Sequence, residues 1–220
     1  MVRFDKVRRR LGPGVEFYCE EFRADAGAHV ALWGPSGCGK STMLNLVTGL
    51  LRPDEGVVEV DGVEIQALGE GALDQFRGQW FGFVFQTFNL LSPFTALQNV
   101  MLGMQFSDTR PQKVWKSHAT ELLERVGLGH RINAKPTTLS VGEQHRVAIA
   151  RALANKQKIV VADEPTGSLD PKSAASVMEL LLEMCREEEV TVLMVTHDRA
   201  IADELPDRFD CSDLVREVDS

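Results

Sequence analysis

The sequence predicts an α/β fold with a mainly parallel sheet, on three observations. Short apolar runs of strand length alternate with segments whose apolar residues recur at three- and four-residue spacing. One strand–helix joint carries GPSGCGKS (34–41), which fills every position of G-x-x-x-x-G-K-[S/T]. A second joint, IVVADE (159–164), ends a buried strand in two carboxylates, and parallel sheets collect ligands at that end of their strands.

The elements follow in order. HVALWG (29–34) reads as a short buried strand and GKSTMLNLVTGL (39–50) as the helix after it. GVVEVDG (56–62) is a strand ending in an Asp-Gly turn, and FGFVF (81–85) is another strand. From Thr87 to Asn155 the pattern turns mostly helical, as in ATELLERVGL (119–128). KIVVAD is a buried strand, SAASVMELLLEMCREEE a helix, and VTVLMVTH (190–197) a buried strand again. The last stretch, FDCSDLVREVDS (209–220), carries only a weak strand signal. One domain is expected: a core of 1–86 and 158–220 with a helical insertion over 87–157. Little sequence follows His197, so no large C-terminal regulatory domain is expected.

Composition narrows the function classes. A chain of 220 residues can bury a sizeable core. Its formal net charge of −8 leaves no broad basic footprint, so nucleic acid is not an expected partner. The one basic cluster, VRRR (7–10), reads as a solvated run. Cys19, Cys38, Cys185 and Cys211 form no C-x-x-C pair and no zinc spacing, which fits a reduced, cytoplasmic setting. No apolar run reaches bilayer length and no signal core follows the first residues, so a membrane role is expected to come through a partner.

The phosphate loop has a direct physical rationale. Gly34, Gly37 and Gly39 let the backbone close around phosphate oxygens, with Pro35, Ser36 and Cys38 completing the loop. N–H groups from Gly37 to Ser41 would point into that nest. Lys40 supplies a cation for the β- and γ-phosphates, the Ser41 hydroxyl can ligate Mg²⁺, and the Thr42 hydroxyl can reach the α-phosphate. Cys38 is a small side chain that fits the loop; at a helix start its thiolate is also favoured. Asp163 is placed to hold Mg²⁺ through water, and Glu164 to orient or deprotonate the attacking water. His197 and Gln86 each follow a strand, where a plain loop residue would be the default reading. At the shared sheet edge, His197 can bond the γ-phosphate or the water, and Gln86 can touch both metal and water.

A second glycine-bearing loop, LSVGEQHRVAIARAL (139–153), also opens a helix, and one chain already has its phosphate site. The order GPSGCGKST, FQTFNLLSPFTALQNV, LSVGEQHRVAIARAL, VVADEPTGSLD and VTHD resembles ABC transporter nucleotide-binding domains over nearly the whole chain. The details NLLSPFTALQNV and ADEPTGSLD look most like the lipoprotein-release and macrolide-export group. The resemblance implies a P-loop NTPase (RecA-like) core, a small N-terminal antiparallel β part and an inserted α-helical subdomain. It implies an ATPase that needs ATP and Mg²⁺ and energises a separate transmembrane permease subunit from the inner face of the cell membrane. A non-transport ATPase regulating a membrane complex, as in cell division, is the alternative. Ser140, Gly142 and Glu143 would then contact ATP held by a second copy, in a head-to-tail dimer with two sites on one two-fold interface. Asp170 resembles the residue that spans this interface. The segment from Gln86 through the insertion resembles the surface that receives short helices of the membrane subunit.

The chain departs from the pattern twice. Val141 stands where the signature usually has glycine; a β-branched residue disfavours φ > 0, so a β-region backbone or strain is expected there. The usual adenine-stacking aromatic falls at Arg10 or Leu11, with Phe17 and Tyr18 as alternatives in a stretch that reads as a strand.

Overall fold

The first two strands form a hairpin because Pro13–Gly14 supplies the turn between two alternating runs, with Gly14 at φ +68°. The computed structural model describes residues 1–106 and 110–218. Its strands are β1 (Val2–Gly12), β2 (Val15–Ala24), β3 (His29–Trp33), β4 (Glu55–Val60), β5 (Val63–Glu64), β6 (Phe81–Phe85), β7 (Ile159–Asp163), β8 (Thr191–Thr196), β9 (Asp207–Asp210) and β10 (Val215–Glu217). Its helices are α1 (Lys40–Val47), α2 (Glu70–Trp80), α3 (Ala96–Leu102), α4 (Trp115–Arg125), α5 (Val141–Ala152), α6 (Pro171–Glu187) and α7 (Arg199–Glu204). The chain packs as two compact units, Met1–Arg77 with Thr191–Ser220, and Gly78–Val190.

The first unit holds an antiparallel sheet in the order β10-β2-β1-β4-β5. Val2, Phe4 and Val7 of β1 are buried although Phe4 and Val7 are three residues apart. Lys6, at φ +50°, is the extra residue that restores the face, and the β1–β4 register shifts beside it. Gly56 lies opposite, where a Cβ would stand 2.3 Å from the Lys6 carbonyl oxygen. The expected Asp61–Gly62 turn joins β4 to β5, with φ +51° and +82°. In the same unit β3 runs parallel to β8 on one side and β9 on the other. Strands β3 and β8 are buried nearly throughout, which explains their unbroken apolar runs. Helix α1 buries Met43, Leu44, Leu46 and Val47. The weak C-terminal signal resolves into the end of β9 and into β10, which pairs with β2; Asp219 and Ser220 lie outside the described residues.

In the second unit β6 pairs parallel with β7, from Phe81↔Ile159 to Phe85↔Asp163. At Gly82 a Cβ would lie 2.1 Å from the Ala152 carbonyl oxygen, so only glycine lets β6 pass the end of α5. The expected insertion, 87–157, supplies α3, α4 and α5 to this unit, and its residues 107–109 lie outside the described ones. Helix α6 buries Val177, Met178, Leu181, Leu182, Met184 and Cys185 on one stripe. The sequence reading leaves α2 and α7 unassigned; α2 buries only Leu73 and Phe76, too few for a clear stripe.

All four cysteines are free and buried. Burial pushes the Cys19, Cys185 and Cys211 thiols up to about 12. No helix among the described residues is long and apolar enough to cross a membrane.

Candidate nucleotide site

The phosphate loop connects β3 to α1 in the first unit. Gly37 and Gly39 take φ +83° and +103°, and Gly39 is the N-cap of α1. No acidic residue stands in the first turn of α1, so nothing there cancels the positive end of the helix. A Cβ on Gly39 would lie 3.1 Å from both Phe17 and Val215, and one on Gly34 would lie 2.8 Å from Cys38 Sγ. Pro35, Ser36, Gly37 and Ser41 are exposed, Thr42 is half-buried, and Cys38 turns its sulfur inward. Lys40 is buried and folds back onto the loop, donating to the carbonyls of Gly34 (2.8 Å) and Pro35 (2.7 Å).

The register of β3 with β8 puts Trp33 beside Thr196. Gly34 and His197 are the next residues, so the phosphate loop and the exposed His197 leave the sheet side by side. Asp198 then caps α7 by accepting from the Ala200 N–H at 2.8 Å.

The second unit repeats this geometry. Phe85 pairs with Asp163, so Gln86 and Glu164 leave neighbouring strands together. Glu164 has left-handed backbone, φ +46°, a strained state for a non-glycine residue that concentrates at functional sites. The Gly167 N–H donates to the Glu164 carbonyl at 3.1 Å. A Cβ on Gly167 would come within 2.8 Å of Gln86 Nε2, and Ser168 Oγ reaches the Gln86 carbonyl at 3.5 Å. The segment after Glu164 therefore lies directly against Gln86.

The second loop is a capped helix start. Ser140 is the N-cap of α5; its Oγ accepts from the Glu143 N–H (3.3 Å), and Glu143 Oε2 accepts from the Ser140 N–H (2.8 Å). The Ser140 N–H holds the Glu143 carboxyl below the usual carboxylate range. Val141 is the first residue of α5 and has no positive φ, which corrects the expectation of a β-region or strained backbone there. Its side chain is exposed, and a Cβ on Gly142 would meet nothing within 4 Å. Asp170 caps α6, accepting from the Lys172 and Ser173 N–H groups at 3.1 Å, and the Ser173 bonds hold its carboxyl below the ordinary range. Both caps are visible in the sequence as S-x-x-E and as Asp before Pro, yet reading these residues only for ligand contact misses them.

The ABC transporter family profile matches residues 20–167. The chain belongs to the ABC transporter family. It is 49% identical over 176 residues to the lipoprotein-releasing system ATP-binding protein LolD of Xanthomonas axonopodis pv. citri, covering 80% of this chain and 72% of that protein. To LolD 1 of Rhodopseudomonas palustris it is 42% identical over all of this chain and 96% of that protein. Among solved structures, the dimeric ATP-binding cassette MJ0796 in a post-hydrolysis state with ADP and Pi covers both chains fully, at TM-score 0.83 and 36% identity. CbiO1 of Clostridium perfringens, part of the transporter complex cbiONQ, matches at TM-score 0.85 and 28% identity over 95% of this chain and 83% of that one. As an ABC transporter cassette, the chain is an ATP-binding ATPase subunit.

The residues present fit the groups this family uses. The glycine cradle, the bare N-terminus of α1 and Lys40 suit a polyphosphate. Ser41 in the first unit, and Gln86 and Asp163 in the second, each carry an oxygen of the kind that Mg²⁺ takes. At the base end, Leu11 is exposed near the tip of the hairpin, and the Arg10 N–H donates to Asp54 Oδ2 at 2.7 Å. Phe17 is fully buried, and Tyr18 carries the Arg8 and Arg216 guanidinium groups over its ring at 5.2 and 4.1 Å. Both lie in β2, as their stretch predicts.

Proposed function

We propose that the chain hydrolyses Mg²⁺–ATP as a head-to-tail homodimer beneath a separate transmembrane subunit, on the inner face of the cell membrane. The observation that carries this reading is the phosphate loop with Lys40 on its carbonyls, beside His197 at the end of the neighbouring strand. Lys40 and the N–H groups of the loop bind the β- and γ-phosphates, and Thr42 stands near the α-phosphate. Ser41, Gln86 and Asp163 are the residues that would hold Mg²⁺, which would neutralise developing phosphate charge. Glu164 takes the proton of the attacking water, and His197 orients the γ-phosphate and that water. Leu11 packs on the base.

The Ser140–Glu143 start of α5 supports a contact in trans. Its capping box leaves the exposed Ser140 and the open space at Gly142 facing outward. ATP of a second copy seated there draws two protomers together, and Asp170 follows Glu164 closely enough to cross the same interface. A groove of about 560 Å³ lined by Phe94, Gln98, Met101, Leu102 and Trp115 suits a short helix of the membrane subunit. The kinship with LolD supports lipoprotein release as the process served.

Co-purification of the chain with its membrane subunit, followed by ATPase assays of wild type and Glu164→Gln, tests the reading. The expected result is a stable complex whose ATPase activity is lost in Glu164→Gln. Unchanged hydrolysis in that variant overturns the assignment of Glu164.

A further inference from the structure

His145 lies inside α5 and is fully buried. Its ring meets the Phe88 ring edge-on, with centroids 4.3 Å apart and planes at 75°. Phe88 stands two residues beyond Gln86. Phe88 and Asn89 both have left-handed backbone, φ +56° and +47°, which costs free energy and persists only where the surroundings impose it.

Helix α5 supplies those surroundings. Arg151 donates Nη1 to the Asn89 carbonyl and Nη2 to the Phe88 carbonyl, both at 2.6 Å. His145 and Arg151 therefore both hold Phe88, one by its ring and the other by its carbonyl, and Arg151 holds the Asn89 carbonyl as well. The Pro165 carbonyl, one residue after Glu164, also acts on the His145 ring. One imidazole thus borders the segment carrying Gln86 and the segment following Glu164.

Burial strips the His145 ring of water and leaves the Pro165 carbonyl as the polar group acting on it. An apolar side chain in its place would pack on Phe88 but lose that tie to the segment after Glu164.

We propose that His145 is a positioning residue: through Phe88 it sets the placement of Gln86 and ties it to the helix that begins at the Ser140 loop. The inference rests on the ATPase reading, in which Gln86 meets Mg²⁺ and water. Closure on the Ser140 loop then reaches Gln86 through one rigid helix and one ring contact.

The test uses the full chain in three forms: wild type, His145→Ala and His145→Gln. Hydrogen exchange of the 86–90 amides is measured beside kcat and KM for ATP. In His145→Ala, exchange at 86–90 is expected to rise and kcat to fall, each roughly tenfold or more, with KM within about twofold. His145→Gln, a flat side chain of similar reach, is expected to restore part of both. An unchanged kcat per nucleotide-binding site with a lowered Tm makes His145 merely structural and overturns the proposal. Should His145→Ala fail to fold, Phe88→Leu removes the same ring contact and is judged by the same outcomes. A wild-type chain that hydrolyses no ATP overturns the ATPase reading, while exchange at 86–90 still decides whether His145 holds the loop.

Discussion

Gln86 and Gly167 stand so close that a Cβ on Gly167 would lie 2.8 Å from Gln86 Nε2. The obstacle is the tip of an exposed, flexible side chain, and Gly167 has no positive φ to protect. Gly167→Ala therefore displaces the Gln86 amide at little cost to the fold. Stability is expected to stay within about 0.5 kcal/mol of wild type. If Gln86 meets Mg²⁺ and water as proposed, the ATPase kcat is expected to fall about tenfold or more. Steady-state hydrolysis measured beside thermal unfolding checks this; equal turnover in both proteins would detach the amide from catalysis.

Val141 offers a test of closure. It begins α5 with helical backbone, so glycine there relieves no strain and loosens the first turn, at a cost of up to about 1 kcal/mol. Light scattering on Glu164→Gln is expected to show a dimer that depends on Mg²⁺–ATP. Adding Val141→Gly is expected to leave that dimer unchanged or slightly weaker. A monomer that dimerises only with Val141→Gly would mean the valine side chain obstructs the partner's nucleotide.

These cases show which features the sequence carries openly. GPSGCGKS is legible because left-handed backbone and a close Phe17 leave glycine almost no substitute at Gly39. The Asp61–Gly62 turn is legible for the same kind of reason, and β3, β7 and β8 announce themselves as unbroken apolar runs. Helix α2 does not, since it buries just Leu73 and Phe76. The bulge at Lys6 depends on its partner Gly56, a pairing that no local pattern encodes. Ser140, Glu143 and Asp170 illustrate another limit. One side chain can cap a helix and face a ligand, and a motif match reveals only the second role.

His145 makes the fold sensitive to acid. Burial lowers its pKa from 6.5 to about 4, only partly opposed by the Pro165 carbonyl. Between those two values the unfolded chain binds a proton at this site that the folded chain refuses. Stability should therefore fall as pH drops from about 6.5 to 4, by on the order of 3 kcal/mol in total. His145→Leu should flatten that part of the profile. Urea unfolding at several pH values, with both proteins, measures the difference; parallel curves would assign the acid loss to other groups.

The phosphate loop allows a comparison of two glycines that share left-handed backbone. Gly37 and Gly39 both hold positive φ, so alanine strains the backbone at either position by about 1–3 kcal/mol. At Gly37 the added Cβ meets nothing within 4 Å, whereas at Gly39 it meets Phe17 and Val215 at 3.1 Å. Phe17 is fully buried and has little room to yield. Gly39→Ala should therefore destabilise the chain by about 1 kcal/mol or more beyond Gly37→Ala. Gly39 also begins α1 and aims its first N–H groups, so the same change should abolish nucleotide binding, while Gly37→Ala weakens it. Denaturant unfolding with and without Mg²⁺–ATP separates the two effects: the ligand-free difference reads the crowding, and the loss of ATP-induced stabilisation reads the cradle. Equal ligand-free losses would mean that Phe17 and Val215 move aside, leaving backbone strain as the sole requirement for glycine at position 39.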